Sequence, residues 1–163
     1  MIQNHKTIST RPSDRELIIS RIFDAPRALL WSAWTDPAQL AQWFGPDGFS
    51  ITTHHMSVKP KGQWRFIMHG PDGRDYKNRI DFIEVKEPER LVYTHSGEEE
   101  DQDVEFQTIT TFESLDSNTT RLTMLSLFKT AADLKFVVEN YGAEEGGKQT
   151  IGRLAEHLEK IRA

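Results

Sequence analysis

The sequence predicts one α+β domain in which a curved antiparallel sheet wraps around a long C-terminal helix, with two short helices between the first two main strands. Three observations lead there. Residues 49–128 carry six stretches of strand period whose connections are too short to hold a crossover helix. Residues 26–44 carry two short helical runs. The chain closes on Ile151, Leu154, Leu158 and Ile161, which share one face of a helix whose other side carries Arg153, Glu156, Glu159 and Lys160.

Taken in order, residues 1–14 are polar and contain Pro12. They are expected to form a flexible, dispensable arm with one short edge strand at 6–9, ahead of a domain spanning 15–163. The run from Glu16 to Phe23 is rich in β-branched and aromatic residues and predicts a strand. Asp24-Ala25-Pro26 ends it and starts a helix with Leu30, Trp31, Ala33 and Trp34 at helical spacing. Asp36 can cap a second helix with Pro37 in its first turn, where Leu40, Trp43 and Phe44 share a face and Gly45-Pro46 ends the element.

Strands are then expected at 49–58, 63–69, 74–86, 90–96, 103–113 and 119–128. Pro60-Lys61-Gly62, Pro71-Asp72-Gly73, Glu87-Pro88-Glu89, the acidic stretch 97–101 and Asp116-Ser117-Asn118 separate them, each with turn chemistry. Thr130 and Asp133 have the spacing of a capping box, for a helix that runs through Tyr141 and stops at Gly142. The longer last helix is expected after Gly146-Gly147.

Composition narrows the function. The 163 residues hold 37% hydrophobic and 28% charged side chains and can bury roughly 70% of the unfolded surface, as a globular domain does. The formal charge is −5, which offers no field for gathering phosphates, so nucleic acid is not an expected partner. There is no cysteine, hence no disulfide, thiolate nucleophile or iron–sulfur site. No run of about 18 apolar residues is present, so membrane insertion is not expected and the cytoplasm is the expected address.

Metal and cofactor chemistry is not called for. His54 and His55 are adjacent and should point to opposite strand faces, His69 and His95 stand on other strands, and the acidic run lacks the spacing of a calcium loop. Phosphate-loop, dinucleotide and nucleophile-elbow motifs are absent, and Ser57, Ser96 and Ser126 have no neighbouring base in sequence.

The mouth between sheet and helix is where such a fold forms a pocket. Alternation places Trp64, Phe66 and Met68 on one face of their strand, and Tyr76 with Asn78, Tyr93 with His95, and Phe106 with Thr108 on faces of theirs. With Trp31, Trp43, Gly147, Ile151 and Leu154 these form the candidate ligand-binding set, mostly aromatic with a few orienting polar groups. His95, Tyr93, Tyr76 and Arg65 are the candidate acids or bases, should the site be catalytic.

Several short motifs in sequence strengthen this reading. Phe23-Asp24-Ala25-Pro26-Arg27, Leu30-Trp31, Trp34-Thr35-Asp36-Pro37 and Trp43-Phe44-Gly45-Pro46 resemble the opening of the activator of heat-shock protein 90 ATPase homologue-like family, in the START-like (SRPBCC, Bet v allergen-like) superfamily. Lys61-Gly62-Gln63-Trp64-Arg65-Phe66, the Glu87–Tyr93 run, Gly146-Gly147-Lys148-Gln149-Thr150 and Leu154–Leu158 extend the resemblance over about residues 15–162. It implies the helix-grip fold around a cavity for apolar molecules. Two departures stand out. Lys59-Pro60-Lys61-Gly62 replaces an Arg-x-Gly-Gly pattern, and Gly147-Lys148-Gln149 stands where relatives often place a tryptophan, which would make the pocket mouth more polar.

The expected function is therefore binding of a small hydrophobic or aromatic molecule, lipid included, in a cavity between sheet and last helix. A bulky residue at Gly147 is expected to close the mouth without unfolding the domain. Two alternatives stay open: a cyclase- or hydrolase-type enzyme acting on the cavity ligand, and a stress-related protein with a chaperone partner. Exposed aromatic surface is also compatible with a homodimer.

Overall fold

The computed structural model describes residues 5–98 and 104–162. Most of the acidic run of the sequence, residues 99–103, lies outside them. Eight strands form one antiparallel sheet: β1 (Ile8–Ser13), β2 (Glu16–Phe23), β3 (Ser50–Met56), β4 (Gln63–His69), β5 (Asp75–Lys86), β6 (Arg90–Gly97), β7 (Phe106–Asp116) and β8 (Thr119–Phe128). Four helices accompany it: α1 (Arg27–Thr35), α2 (Pro37–Trp43), α3 (Ala131–Tyr141) and α4 (Ala143–Arg162).

The order across the sheet is β1-β2-β8-β7-β6-β5-β4-β3. From β3 to β8 the chain meanders, and β8 closes against β2 through the full length from Glu16↔Leu127 to Phe23↔Thr120. The α1–α2 excursion therefore carries the chain from one side of the sheet to its far edge. Bulges between Phe82 and Glu84, between Thr53 and His55 and between Ser114 and Asp116 add twist and curl. This is the helix-grip fold.

The local signals act as chemistry dictates. The Asp36 carboxylate accepts from the Ala38 N–H at 3.0 Å, with Pro37 in the first turn of α2. Thr130 accepts from the Asp133 N–H at 3.1 Å, and Gly142 ends α3 at φ 59°. Alternation holds on β4, where Trp64 and Phe66 are buried and Arg65 is exposed.

Several expectations are corrected. The edge strand lies at Ile8–Ser13 rather than 6–9, and it is tied down: Ser9 and Arg11 each donate to the Glu144 carboxylate at 2.8 Å. The last helix begins at Ala143 and runs through Gly146-Gly147 instead of starting after them. Those glycines serve approach, not termination, because a Cβ on Gly146 would stand 3.2 Å from Pro46 Cγ and one on Gly147 would overlap Ile19 Cδ1. Acidic Glu144 and Glu145 suit the helix N-terminus so created. Ile161 is exposed, so the apolar face of α4 ends at Leu158. At β3 the bulge breaks the alternation, and His54 and His55 are both exposed.

The core sits between α1, α2, α4 and the concave side of the sheet. Trp34, Trp43, Phe44, Trp64 and Phe66 form a chain of ring contacts with centroids 4.0–5.7 Å apart. Ile151, Leu154 and Leu158 close it from above, all essentially inaccessible. No helix among the described residues is long and apolar enough to cross a membrane.

Candidate functional site

The inward faces of β4–β8 carry two kinds of side chain. Toward α1 and α2 they are closely packed: Trp64 stacks on Phe66 at 4.0 Å, Trp31 meets Phe112 edge-on at 5.4 Å, and the Trp43 indole donates to the Ala33 carbonyl at 3.1 Å. Trp31, Trp43, Trp64, Phe66, Ile151 and Leu154 from the predicted set belong to this packed region. Toward the opposite end of the strands Met68, Tyr76, Asn78, His95 and Phe106 keep part of their surface accessible, as do Met124 and Ser126 on β8.

Register explains the grouping. Trp64, Ile80, His95, Phe106 and Phe128 lie in one row across five strands, and Phe82, Tyr93, Thr108 and Ser126 lie in the next. Asn78 pairs with Phe66 on one side and Gly97 on the other, diagonal to His95. Its Oδ1 lies 2.9 Å from His95 Nε2, while its Nδ2 donates to the Tyr76 carbonyl at 3.0 Å.

His95 is flanked by Phe106 at 5.0 Å and Phe66 at 6.2 Å between ring centres. Desolvation in this aromatic surround pushes its pKa down to about 4, so the ring is neutral near pH 7. Tyr93 is fully in the core. Burial pushes its phenol up to about 12, only partly offset by hydrogen bonds to Thr110 and Trp34, and its hydroxyl lies 3.1 Å from Thr110 Oγ1. Thr108 is buried with its hydroxyl 3.5 Å from that of Ser126.

The candidate acids and bases are thus not brought together as one group. His95 and Tyr93 share the concave face, but Tyr93 is already satisfied by core partners. Arg65 lies on the other face of β4, half exposed, in an ion pair with Glu98. Tyr76 stands at the open end, with the Arg74 guanidinium 4.8 Å from its ring centre and Phe49 and Tyr141 at 6.1 and 6.3 Å.

Sequence reasoning missed the residues that shape this end. Arg153, assigned to the polar side of α4, donates from one terminal nitrogen to the carbonyls of Gly45, Pro46 and Phe49 at 2.9, 3.0 and 3.1 Å. It fixes the loop that follows α2 beneath the helix. Gln149 adds to this by accepting the Asp47 N–H at 3.1 Å, so the polar residue expected at the mouth holds the loop. His157 meets Gln39 Oε1 at 3.0 Å. No sequence signal marks these, because carbonyls that seek a donor leave no trace in residue type. Gly147 faces Ile19 rather than an opening, so a bulky residue there would push α4 off β2.

A separate shallow depression of about 250 Å³ lies where β7 begins and β8 ends, bordered by the stacked Phe106 and Phe128 and by the Glu105–Lys129 ion pair. Of the predicted ligand-binding residues, Phe106 alone lines it.

Comparison with known proteins agrees with this architecture. The family described as activator of Hsp90 ATPase homolog 1-like protein matches residues 24–159. The chain is similar to a protein from Arthrobacter aurescens solved by NMR, with 24% identity, a TM-score of 0.87, and 94% of this chain and 91% of that one covered. A crystal structure from Mycobacterium smegmatis shares 27% identity at a TM-score of 0.85 over 95% and 98% of the two chains. The AHSA1 protein from Silicibacter pomeroyi shares 23% identity at a TM-score of 0.73, over 90% and 99%. No curated protein matches the chain.

Proposed function

Because this chain belongs to the activator of Hsp90 ATPase homologue 1-like family, a helix-grip domain of the START-like kind, we propose that it binds one small, mostly apolar molecule between the concave sheet face and α4. The observation that carries this reading is at His95. The ring is enclosed deeply enough to lose its basicity, yet part of its surface remains accessible, as does that of its neighbours Asn78 and Phe106. Side chains that lie on the concave face and keep accessible surface can be reached there by a small molecule. Mostly apolar walls with a few polar atoms are the composition of a ligand pocket.

Holding is favoured over transforming. A neutral His95 with a pKa near 4 is a weak general base at neutral pH, and the Tyr93 hydroxyl is engaged within the core. A chaperone-partner role rests on the family description alone.

Native mass spectrometry of the gently purified protein, before and after incubation with naphthalene-sized aromatic probes, tests the reading. One-to-one adducts are expected, lost in Ser126→Phe or, if that variant does not fold, in Met68→Trp. Absence of any adduct, or adducts indifferent to both substitutions in folded protein, contradicts it.

A further inference from the structure

Resting on the binding reading above, we infer that the molecule held on the concave face is an aromatic compound bearing a neutral hydrogen-bond donor, a phenol, alcohol or ring N–H, and that His95 Nδ1 accepts it. The argument starts at Asn78. Its Nδ2 donates to the Tyr76 carbonyl at 3.0 Å, which fixes the amide orientation and turns Oδ1, an acceptor only, toward His95. The imidazole Nε2, 2.9 Å away, must therefore be the donor. A neutral imidazole carries one N–H, so Nδ1 presents a bare lone pair.

Among the described residues nothing donates to that lone pair. Its neighbours are the rings of Phe66 and Phe106, which pack against the imidazole without hydrogen-bonding it. Desolvation keeps the ring neutral from about pH 5 upward, so a second ring proton is not available to change the pattern. The ring keeps part of its surface accessible, so water can reach this nitrogen, and a ligand that displaces that water must bring a donor of its own or leave the acceptor unpaired at a cost. The aromatic rings of Phe66 and Phe106 beside this nitrogen favour a flat, aromatic ligand.

The same geometry selects against anions. The inward positions of β4–β8 are aromatic, aliphatic, hydroxyl or amide, and no lysine or arginine stands among them. A carboxylate placed at His95 would meet a lone pair, while the guanidiniums of Arg74 and Arg153 stand at the open end, one over the Tyr76 ring and the other on the carbonyls of the 45–49 loop.

The test compares 2-naphthol, 2-methoxynaphthalene and 2-naphthoate by calorimetry or NMR titration. Naphthol is expected to bind about tenfold more tightly than its methyl ether, with naphthoate weakest. In His95→Phe, which keeps an aromatic ring, the naphthol preference is expected to fall to near unity while the ether binds as before. Equal binding of naphthol and ether to the wild-type protein, or a preference unchanged in His95→Phe, overturns the inference while leaving the binding reading intact. Failure of all three probes to bind overturns both. Independently of binding, ¹⁵N spectra of the imidazole are expected to place the proton on Nε2, and a proton on Nδ1 overturns the assignment.

Discussion

Gly147 on α4 faces Ile19 on β2 with no room for a side chain between them, since a Cβ on the glycine would overlap Ile19 Cδ1. The contact sets how closely the last helix lies on the sheet. Two effects oppose one another in Gly147→Ala. A helical glycine replaced by alanine gains up to about 1 kcal/mol, but the Ile19 methyl must move aside. Ile19→Val removes that methyl. In the Ile19→Val background, Gly147→Ala is expected to stabilise by about 1 kcal/mol, and in the wild-type background by clearly less or not at all. A double-mutant cycle in urea reads the difference, and additive effects within about 0.3 kcal/mol would show that the contact is slack.

Neighbouring positions in the β3–β4 turn have opposite requirements. Lys61 adopts φ 69°, a left-handed conformation unfavourable for a side chain. Gly62 does not, but a Cβ there would strike the Ser57 carbonyl oxygen. Lys61→Gly is expected to leave stability unchanged or raise it by up to about 1 kcal/mol, and Gly62→Ala to lower it by about 2 kcal/mol or more. Thermal denaturation of the two variants decides, and the same sign for both would contradict the assignment.

Removing the Arg153 head group leaves three carbonyls of the 45–49 loop without their shared donor. Arg153→Met, which keeps the aliphatic stem, is expected to cost about 2–3 kcal/mol and to raise hydrogen exchange in residues 45–49. A neutral effect on both measurements would mean that the loop is held by other contacts.

Acid stability follows from His95. Its folded pKa of about 4 lies below the ordinary value of 6.5, so the unfolded chain binds the proton more readily. The contribution is fully present above pH 6.5 and is lost as pH falls toward 4, on the order of 3 kcal/mol over the whole window. His157 acts in the same direction, since desolvation and then Lys160 lower its pKa. Between pH 7 and 4.5 the wild-type protein is expected to lose more stability than His95→Phe. Parallel losses would mean that His95 titrates normally in the fold.

The fold was legible because its signals are local. Pro37 after Asp36, Thr130 before Asp133, Gly142 after Tyr141 and the alternation around Trp64 and Phe66 each act within a few residues. What was not legible depends on distant partners. Gly146 and Gly147 read as a helix boundary, and only the presence of Pro46 and Ile19 shows that they are needed inside the helix. Arg153 looked like a solvated face residue because its three acceptors are backbone groups more than 100 positions away. Arg65 is an acid–base candidate by residue type alone, and alternation with Trp64 and Phe66 puts it on the other face.

The site was legible in composition but not in division. Period-two reading collected Trp64, Phe66, Tyr93, His95, Phe106 and Thr108 correctly onto inward faces, but which of them pack solidly and which border space depends on where α4 descends. Ile151, Leu154 and Leu158 are buried with the tryptophans in one core, whereas Asn78, His95 and Phe106 keep accessible surface.

The most direct measurement is a two-dimensional amide NMR titration of the labelled protein with 2-naphthol. Shifts concentrated at Met68, Tyr76–Asn78, His95, Phe106 and Met124–Ser126 are the predicted result. Shifts confined to the outer depression around Gln107, Leu127 and Lys129, or no shifts up to the solubility of the probe, would contradict a binding site on the concave face.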